Sequence, residues 1–189
     1  MTLDELRECQ LAIKELVEKE DFENALPVIY SCLEEYPDDA ATLHFMGYCL
    51  LVSGQEALAY QYFRRALQEQ PGNHAIWCSM GRAYHELGMY EEGLKCFLKS
   101  AEIKHDYALA YANASATLIQ LSRWDDAEKA AKLAIDCDPN EINSHRNLAH
   151  SYLAKGEWVK GWEAYGKSLN SKFRKEWVYG EENRWKRLS

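Results

Sequence analysis

Three of the four prolines of this chain, all but Pro27, are spaced on a fixed period. Pro37 and Pro71 lie 34 residues apart, and Pro139 follows Pro71 by 68, two further steps. Each is followed within two residues by Asp or Asn: Pro37-Asp-Asp, Pro71-Gly-Asn, Pro139-Asn-Glu. Proline cannot continue a helix, and a short polar side chain caps the next one. A period of 34 is the mark of a helix-turn-helix array, in which no single helix pair can bury its apolar face alone. The period therefore demands stacking. Hydrophobic residues make up 47% of the 189, enough for a substantial core and too many for disorder.

The third period carries the most detail. Trp77-Cys-Ser-Met80-Gly81-Arg-Ala-Tyr84 is followed by Gly88 and then by Gly93-x-x-x-Phe97. This resembles the tetratricopeptide repeat, whose signature runs W-x-x-L-G-x-x-Y, then A-x-x-x-F, then P. Steps of 34 from His74 define five frames: 6–39, 40–73, 74–107, 108–141 and 142–175. Frame two has Leu43, Met46-Gly47, Gly54, Ala59-x-x-x-Phe63, Ala66 and Pro71; frame four has Tyr111, Ala114-Ser115, Ala127, Ala131, Ala134 and Pro139. Frame five has Leu148-Ala149, Tyr152, Gly156, Gly161-x-x-x-Tyr165 and Ser168. The first frame is degenerate, with Ile13 where a small residue is expected. The resemblance implies an all-α, right-handed superhelix, an α-solenoid of five helix-turn-helix repeats over residues 1–175. Residues 176–189 would be a C-terminal cap or junction.

The physics of the frames agrees. Small residues at Gly47, Gly81, Ser115 and Ala149 let the two helices of a pair approach, and large ones such as Trp77, Tyr84 and Phe97 fill the space between pairs. Gly54, Gly88 and Gly156 mark the turn inside a pair. Asp125-Asp126 and Glu91-Glu92 place acids at the start of second helices, where the helix dipole favours them.

Charge narrows the function. Of the net charge of −8, the first 40 residues supply twelve acids and three bases, so the remainder sums to about +1. Without a basic stripe, nucleic-acid binding through phosphates is disfavoured. Six cysteines without a C-x-x-C spacing fit reduced, packed thiols and neither a disulfide scaffold nor a zinc site. The acidic start has no apolar leader, and no run of about 18 apolar residues exists, so a cytoplasmic protein without a membrane span is expected. Asn113-Ala-Ser115 is a formal glycosylation sequon that has no role without a secretory signal.

One stretch points elsewhere. Gly161-Trp-Glu-Ala-Tyr-Gly166-Lys167-Ser168 fits G-x-x-x-x-G-K-[ST], the phosphate-binding loop. That loop needs a preceding strand and a helix starting at its Gly-Lys. Here Gly161 and Ser168 fall on the repeat's small positions, and Trp158, Trp162, Tyr165 and Leu169 share one helical face. A helix through this stretch has its amides already bonded, so no nucleotide site is expected.

Other chemistry is sparse. His145 and His150 are five apart, off the spacing that places two ligands on one face, and His145 takes the position of Trp77 and Tyr111. Glu181-Glu182 reads as a solvated pair. No catalytic residue, metal site or cofactor is expected, and hence no enzyme.

The resemblance implies that first helices line a concave groove for extended peptides, through the second, fifth, sixth and ninth positions of each frame. Asn113 and Asn147 are both sixth positions, similar to the asparagine ladder of O-GlcNAc transferase-like repeats, in which amides grip a peptide backbone. Upstream the same position holds Ser79, Phe45 and Leu11. Two readings stand side by side: Asn113 and Asn147 bind peptide, or they bond neighbouring helices. Arg82, Arg146 and His150 would flank them as positive charge for acidic side chains or a carboxylate. Against the clamp for heat-shock chaperone tails, Cys78, Arg82, Asn113, Asn143 and Asn147 match only at Asn113, so that ligand is not expected. Gly156-Glu-Trp-Val-Lys-Gly161-Trp162-Glu-Ala-Tyr165 is similar to the junction of bacterial and phage tetratricopeptide–glycosyltransferase fusions. Residues beyond it read as a helix covering the last pair, with Trp177 and Trp185 turned inward. The leading expectation is a scaffold for a protein or extended peptide. The alternative is the substrate-recognition part of a glycosyltransferase, marked by a reading frame that continues into an α/β domain. Weak self-association through the stack ends is a third route.

Overall fold

The computed structural model describes residues 1–169, 177–179 and 185–187. Their ten helices form five successive pairs: α1 (Leu3–Glu18) with α2 (Phe22–Glu35), α3 (Ala40–Val52) with α4 (Glu56–Glu69), α5 (His74–Glu86) with α6 (Tyr90–Ile103), α7 (Ala108–Gln120) with α8 (Trp124–Cys137), and α9 (Ile142–Ala154) with α10 (Trp158–Ser168). The chain forms two compact units, Met1–Ile103 and Lys104–Ser189. In the first, α3 packs on α1, α2, α4 and α5; in the second, α9 packs on α7, α8 and α10. Within the units, α3, α5 and α9 each touch both the preceding pair and their own partner, which is the stacking of an all-α solenoid.

Helix starts follow the capping chemistry. Asp39 accepts from Thr42 N at 2.8 Å and Asn73 from Ala75 N at 3.1 Å, opening α3 and α5. At α9 the cap is Glu141 and not Asn140, because the last residue before the helix is the one whose side chain reaches the exposed N–H groups. Thr2 and Glu5 close a reciprocal capping box on α1.

The turn inside each pair follows a strict rule. Residues 20, 54, 88, 122 and 156 are 34 apart, and all have positive φ: 57°, 74°, 74°, 57° and 78°. Three are glycines. Glu20 and Ser122 adopt the same left-handed conformation with a Cβ, which strains those two turns.

Inside a pair the helices nearly touch. A Cβ on Gly47 would lie 2.6 Å from the Phe63 ring, and one on Gly81 would lie 2.7 Å from the Phe97 ring. Phe63 and Phe97 are fully buried. The fourth repeat solves the same contact differently. Ser115 replaces the glycine, Ala131 replaces the phenylalanine, and the Ser115 hydroxyl donates to Ala127 O at 2.8 Å.

Among the described residues after the last pair, two short strands stand where a helix was expected. Trp177–Tyr179 (β1) and Trp185–Arg187 (β2) pair antiparallel, with Trp177 opposite Arg187 and Tyr179 opposite Trp185. Trp-Val-Tyr is aromatic and β-branched, a composition that favours a pleated strand over a helix. The side chains of Trp177 and Trp185, and residues Glu181 and Glu182, lie outside the described residues.

Two stability measurements test this account. Ser122→Gly should stabilise by about 0.5–1 kcal/mol in denaturant titration, because relief of the left-handed penalty exceeds the entropy added to the unfolded chain. Gly81→Leu should cost about 1–3 kcal/mol through overpacking on Phe97, against a helix propensity that favours leucine; an unchanged melting temperature would mean the contact is misplaced.

Candidate functional site

The first helices carry the expected face, and the two units present it differently. In the first unit the fifth, sixth and ninth positions are His44, Phe45 and Tyr48 on α3, and Cys78, Ser79 and Arg82 on α5. His44 Nε2 lies 2.8 Å from Ser79 Oγ, and burial pushes its imidazole down to about 4. It is therefore neutral at pH 7. Phe45 stacks on His44 with ring centroids 6.2 Å apart. The Arg82 guanidinium carbon sits 5.7 Å from the centre of the Tyr48 ring. This cation–π contact holds the guanidinium over the Tyr48 ring. Reading the sequence for charge and amides alone missed Tyr48. Its signal was the period itself, since 48 and 82 are both ninth positions.

In the second unit Asn113 on α7 is half-buried, and Arg146 and His150 on α9 are exposed. Arg146 Nη2 donates to Asn143 Oδ1 at 2.6 Å. Asn147 departs from the open ladder. It is 9% exposed, and its Nδ2 donates to Ala112 O of α7 at 3.0 Å. A buried side-chain amide needs an acceptor, and the second lone pair of a carbonyl on the preceding first helix supplies it. Asn147 is thus an interhelical staple. The backbone around both asparagines repeats as well: Thr117 Oγ1 donates to Asn113 O and Ser151 Oγ to Asn147 O, at 2.8 and 3.0 Å.

The remaining candidates resolve into structure. His145 Nε2 lies 3.0 Å from Pro139 O, and Trp77 Nε1 donates to Pro71 O at 2.8 Å. The imidazole therefore makes the indole's bond two repeats later. Among the described residues no three His, Cys, Asp or Glu side chains group as a metal site. Gly161–Ser168 lies within α10, where Gly161 N donates to Glu157 O at 2.9 Å and a Cβ on Gly161 would meet Leu153 at 2.6 Å. That amide is spent inside the helix, so the stretch is no phosphate cradle. Cys32, Cys49, Cys78 and Cys96 are buried thiols.

Charge in the second unit concentrates in one network. Lys155 bridges Asp125 of α8 at 2.9 Å, Glu157 at 3.3 Å and Glu128 of α8. Lys132 also holds Glu128, at 2.6 Å. Hydrogen bonds from Lys132 and Lys155 lower the Glu128 carboxyl to about 2. The network ties α8 to α9 and to the turn before α10.

With that geometry in place, likeness to known proteins can be read. Residues 18–100 match the family model "Anaphase-promoting complex, cyclosome, subunit 3". The "Protein STIP1 homolog" of Dictyostelium discoideum is 28% identical over 81 residues, 43% of this chain and 14% of that protein. The human "Protein O-mannosyl-transferase TMTC3" is 28% identical over 105 residues, 48% of this chain and 12% of that protein. The chain thus spans under a fifth of the length of either relative. The crystal structure of MamA superposes with a TM-score of 0.71 at 17% identity, over 90% of this chain and 93% of that one. The chain is thus similar to tetratricopeptide-repeat proteins, and its fold is the helix-pair solenoid of such repeats. No described helix is long and apolar enough to cross a membrane.

The Glu128 network makes a signed prediction. A depressed carboxyl stabilises the fold above its unfolded value of about 4.5, and that contribution fades as pH falls toward 2. Glu128→Gln should cost about 1 kcal/mol at pH 7 and progressively less below pH 4.5, measured by thermal unfolding at a series of pH values.

Proposed function

We propose that this protein is a non-catalytic scaffold that binds an extended segment of a partner protein along its first-helix face. The observation that carries the reading is Arg82, held over Tyr48 at a ninth frame position. A guanidinium held in this way loses little freedom when it meets a carboxylate, so the ligand it fits is an acidic side chain or a chain terminus. Asn113, Arg146 and His150 supply the corresponding groups of the second unit: an amide that matches a peptide unit of any sequence, and polar side chains for flanking acids. Asn147 supports these groups by holding α9 on α7. The acidic first frame repels an anionic segment and so favours binding at later frames. Frames 6–39 to 142–175 are the binding repeats in this reading, and residues 176–189 are a cap.

The test has two steps. Partners are captured from the native host and identified by mass spectrometry. Affinity for the recovered partner is then compared for Arg82→Ala and for Asn113→Ala with Arg146→Ala, beside thermal stability. Each variant should weaken binding by about 1–3 kcal/mol with the melting temperature unchanged. Lost stability with unchanged affinity would assign these side chains to the stack and remove them from the groove.

Likeness to TMTC3 favours a second reading, recognition of substrate for a glycosyltransferase. A reading frame that continues past Ser189 into an α/β domain would mark it.

A further inference from the structure

The third and fifth repeats fill the same place with different side chains. In the third, Trp77, Met80 and Tyr84 of α5 pack with Leu67 of α4 and Cys96 of α6 in one core cluster. The residues 68 positions later are His145, Leu148 and Tyr152 of α9, Ile135 of α8 and Ala164 of α10. These five line a pocket of about 240 Å³. The cause lies in the sequence. A five-membered imidazole replaces a bicyclic indole while keeping its bond to the proline carbonyl, and a methyl replaces a thiol-bearing side chain. Neither neighbouring helix closes the gap, because backbone contacts and the Lys155 network fix α8, α9 and α10 together.

We propose that this pocket is a binding site for one planar aromatic group of indole size, the tryptophan side chain of a partner. The internal repeat supplies the argument for that occupant, since an indole fills the equivalent position in the third repeat. Size agrees. The volume exceeds the about 150 Å³ of an apolar cavity that holds benzene and falls below the about 300–1,000 Å³ of sites for drug-sized ligands. The lining agrees too, with an apolar floor of Ile135, Leu148, Tyr152 and Ala164 and a charged rim. Lys132, Lys160 and Lys167 alternate on that rim with Asp136 and Glu163. An aromatic anchor in an apolar socket with a polar rim is the arrangement of an interface hot spot. Lys132 and Lys160 also lie 5.8 and 5.5 Å from the Tyr152 ring centre, keeping that ring fixed as one wall. The site lies on second helices and the side of α9 that faces them, apart from the Asn113, Arg146 and His150 face.

His145 is an imperfect filler in a second respect. Its Nε2 carries the proton, since Pro139 O only accepts, and its buried Nδ1 has no hydrogen-bond partner. Tryptophan at this position has no such orphan acceptor. His145→Trp should therefore fill the pocket and remove an unsatisfied atom at once.

The experiment uses N-acetyl-tryptophanamide as probe and two-dimensional NMR of the whole chain. Saturable shifts should cluster at residues 132–136, 145–152 and 160–167. His145→Trp should raise the melting temperature by roughly 2–5 °C and weaken probe binding at least tenfold. Asn113→Ala with Arg146→Ala should leave probe binding unchanged, which separates this site from the groove. Scattered or non-saturating shifts in the wild-type protein would overturn the proposal, whether or not the tryptophan variant folds. So would a tryptophan variant that melts no higher and still binds the probe.

Discussion

The structure depends on how closely two helices of a pair approach at the eighth position of each frame. At Gly47 and Gly81 no Cβ fits, because the Phe63 and Phe97 rings already lie against the backbone. That contact sets the distance between the axes, and the distance decides which side chains reach the next pair. Where the fourth repeat loses both partners, Ser115 and Ala131 keep the helices close by another route, a buried hydroxyl bonded to a carbonyl across the pair. The repeat conserves the spacing of its helices and lets the chemistry that maintains it vary.

The second constraint is the turn. Five residues at one period share a left-handed conformation although only three are glycines. The geometry is dictated by packing on either side of the turn, and local preference gives way at Glu20 and Ser122. This is the usual order of forces in a short helical pair: helix propensities are tenths of a kcal/mol per residue, and burial of an aromatic ring is worth several times that. The same ordering explains the C-terminal strand pair. Outside the 34-residue period no neighbouring pair imposes a helix, and Trp-Val-Tyr takes the strand its composition prefers.

The face proposed for binding was legible in part. Arg82, Arg146 and His150 stand at the frame positions expected to face a ligand, because a helix converts sequence spacing directly into direction. Asn147 shows the limit of that conversion. Position gives a direction, but the amide's partner depends on which backbone group of α7 lies nearest, and Ala112 O captures it. Tyr48 beneath Arg82 and Ser79 against His44 join side chains of neighbouring first helices. Such pairs follow from the period, but whether two rings or groups meet at bonding distance is set by the stagger between helices.

The amino-acid sequence by itself determined the helix pairs and the small residues between them. Each of these follows from short-range spacing: proline and caps at the ends, apolar residues at helical intervals, and a period of 34 that only stacking can satisfy. It also disposed of the nucleotide-loop string, since Gly161 and Ser168 fall on the repeat's packing positions within a helix. Tertiary structure alone decided what becomes of space and hydrogen bonds between elements. Replacing Trp77 by His145 two repeats on is a single letter in the sequence, and it becomes a pocket because the helices around it are held by other contacts and do not collapse. Voids and buried bonds are properties of three or more chain segments at once, and no spacing within one segment encodes them.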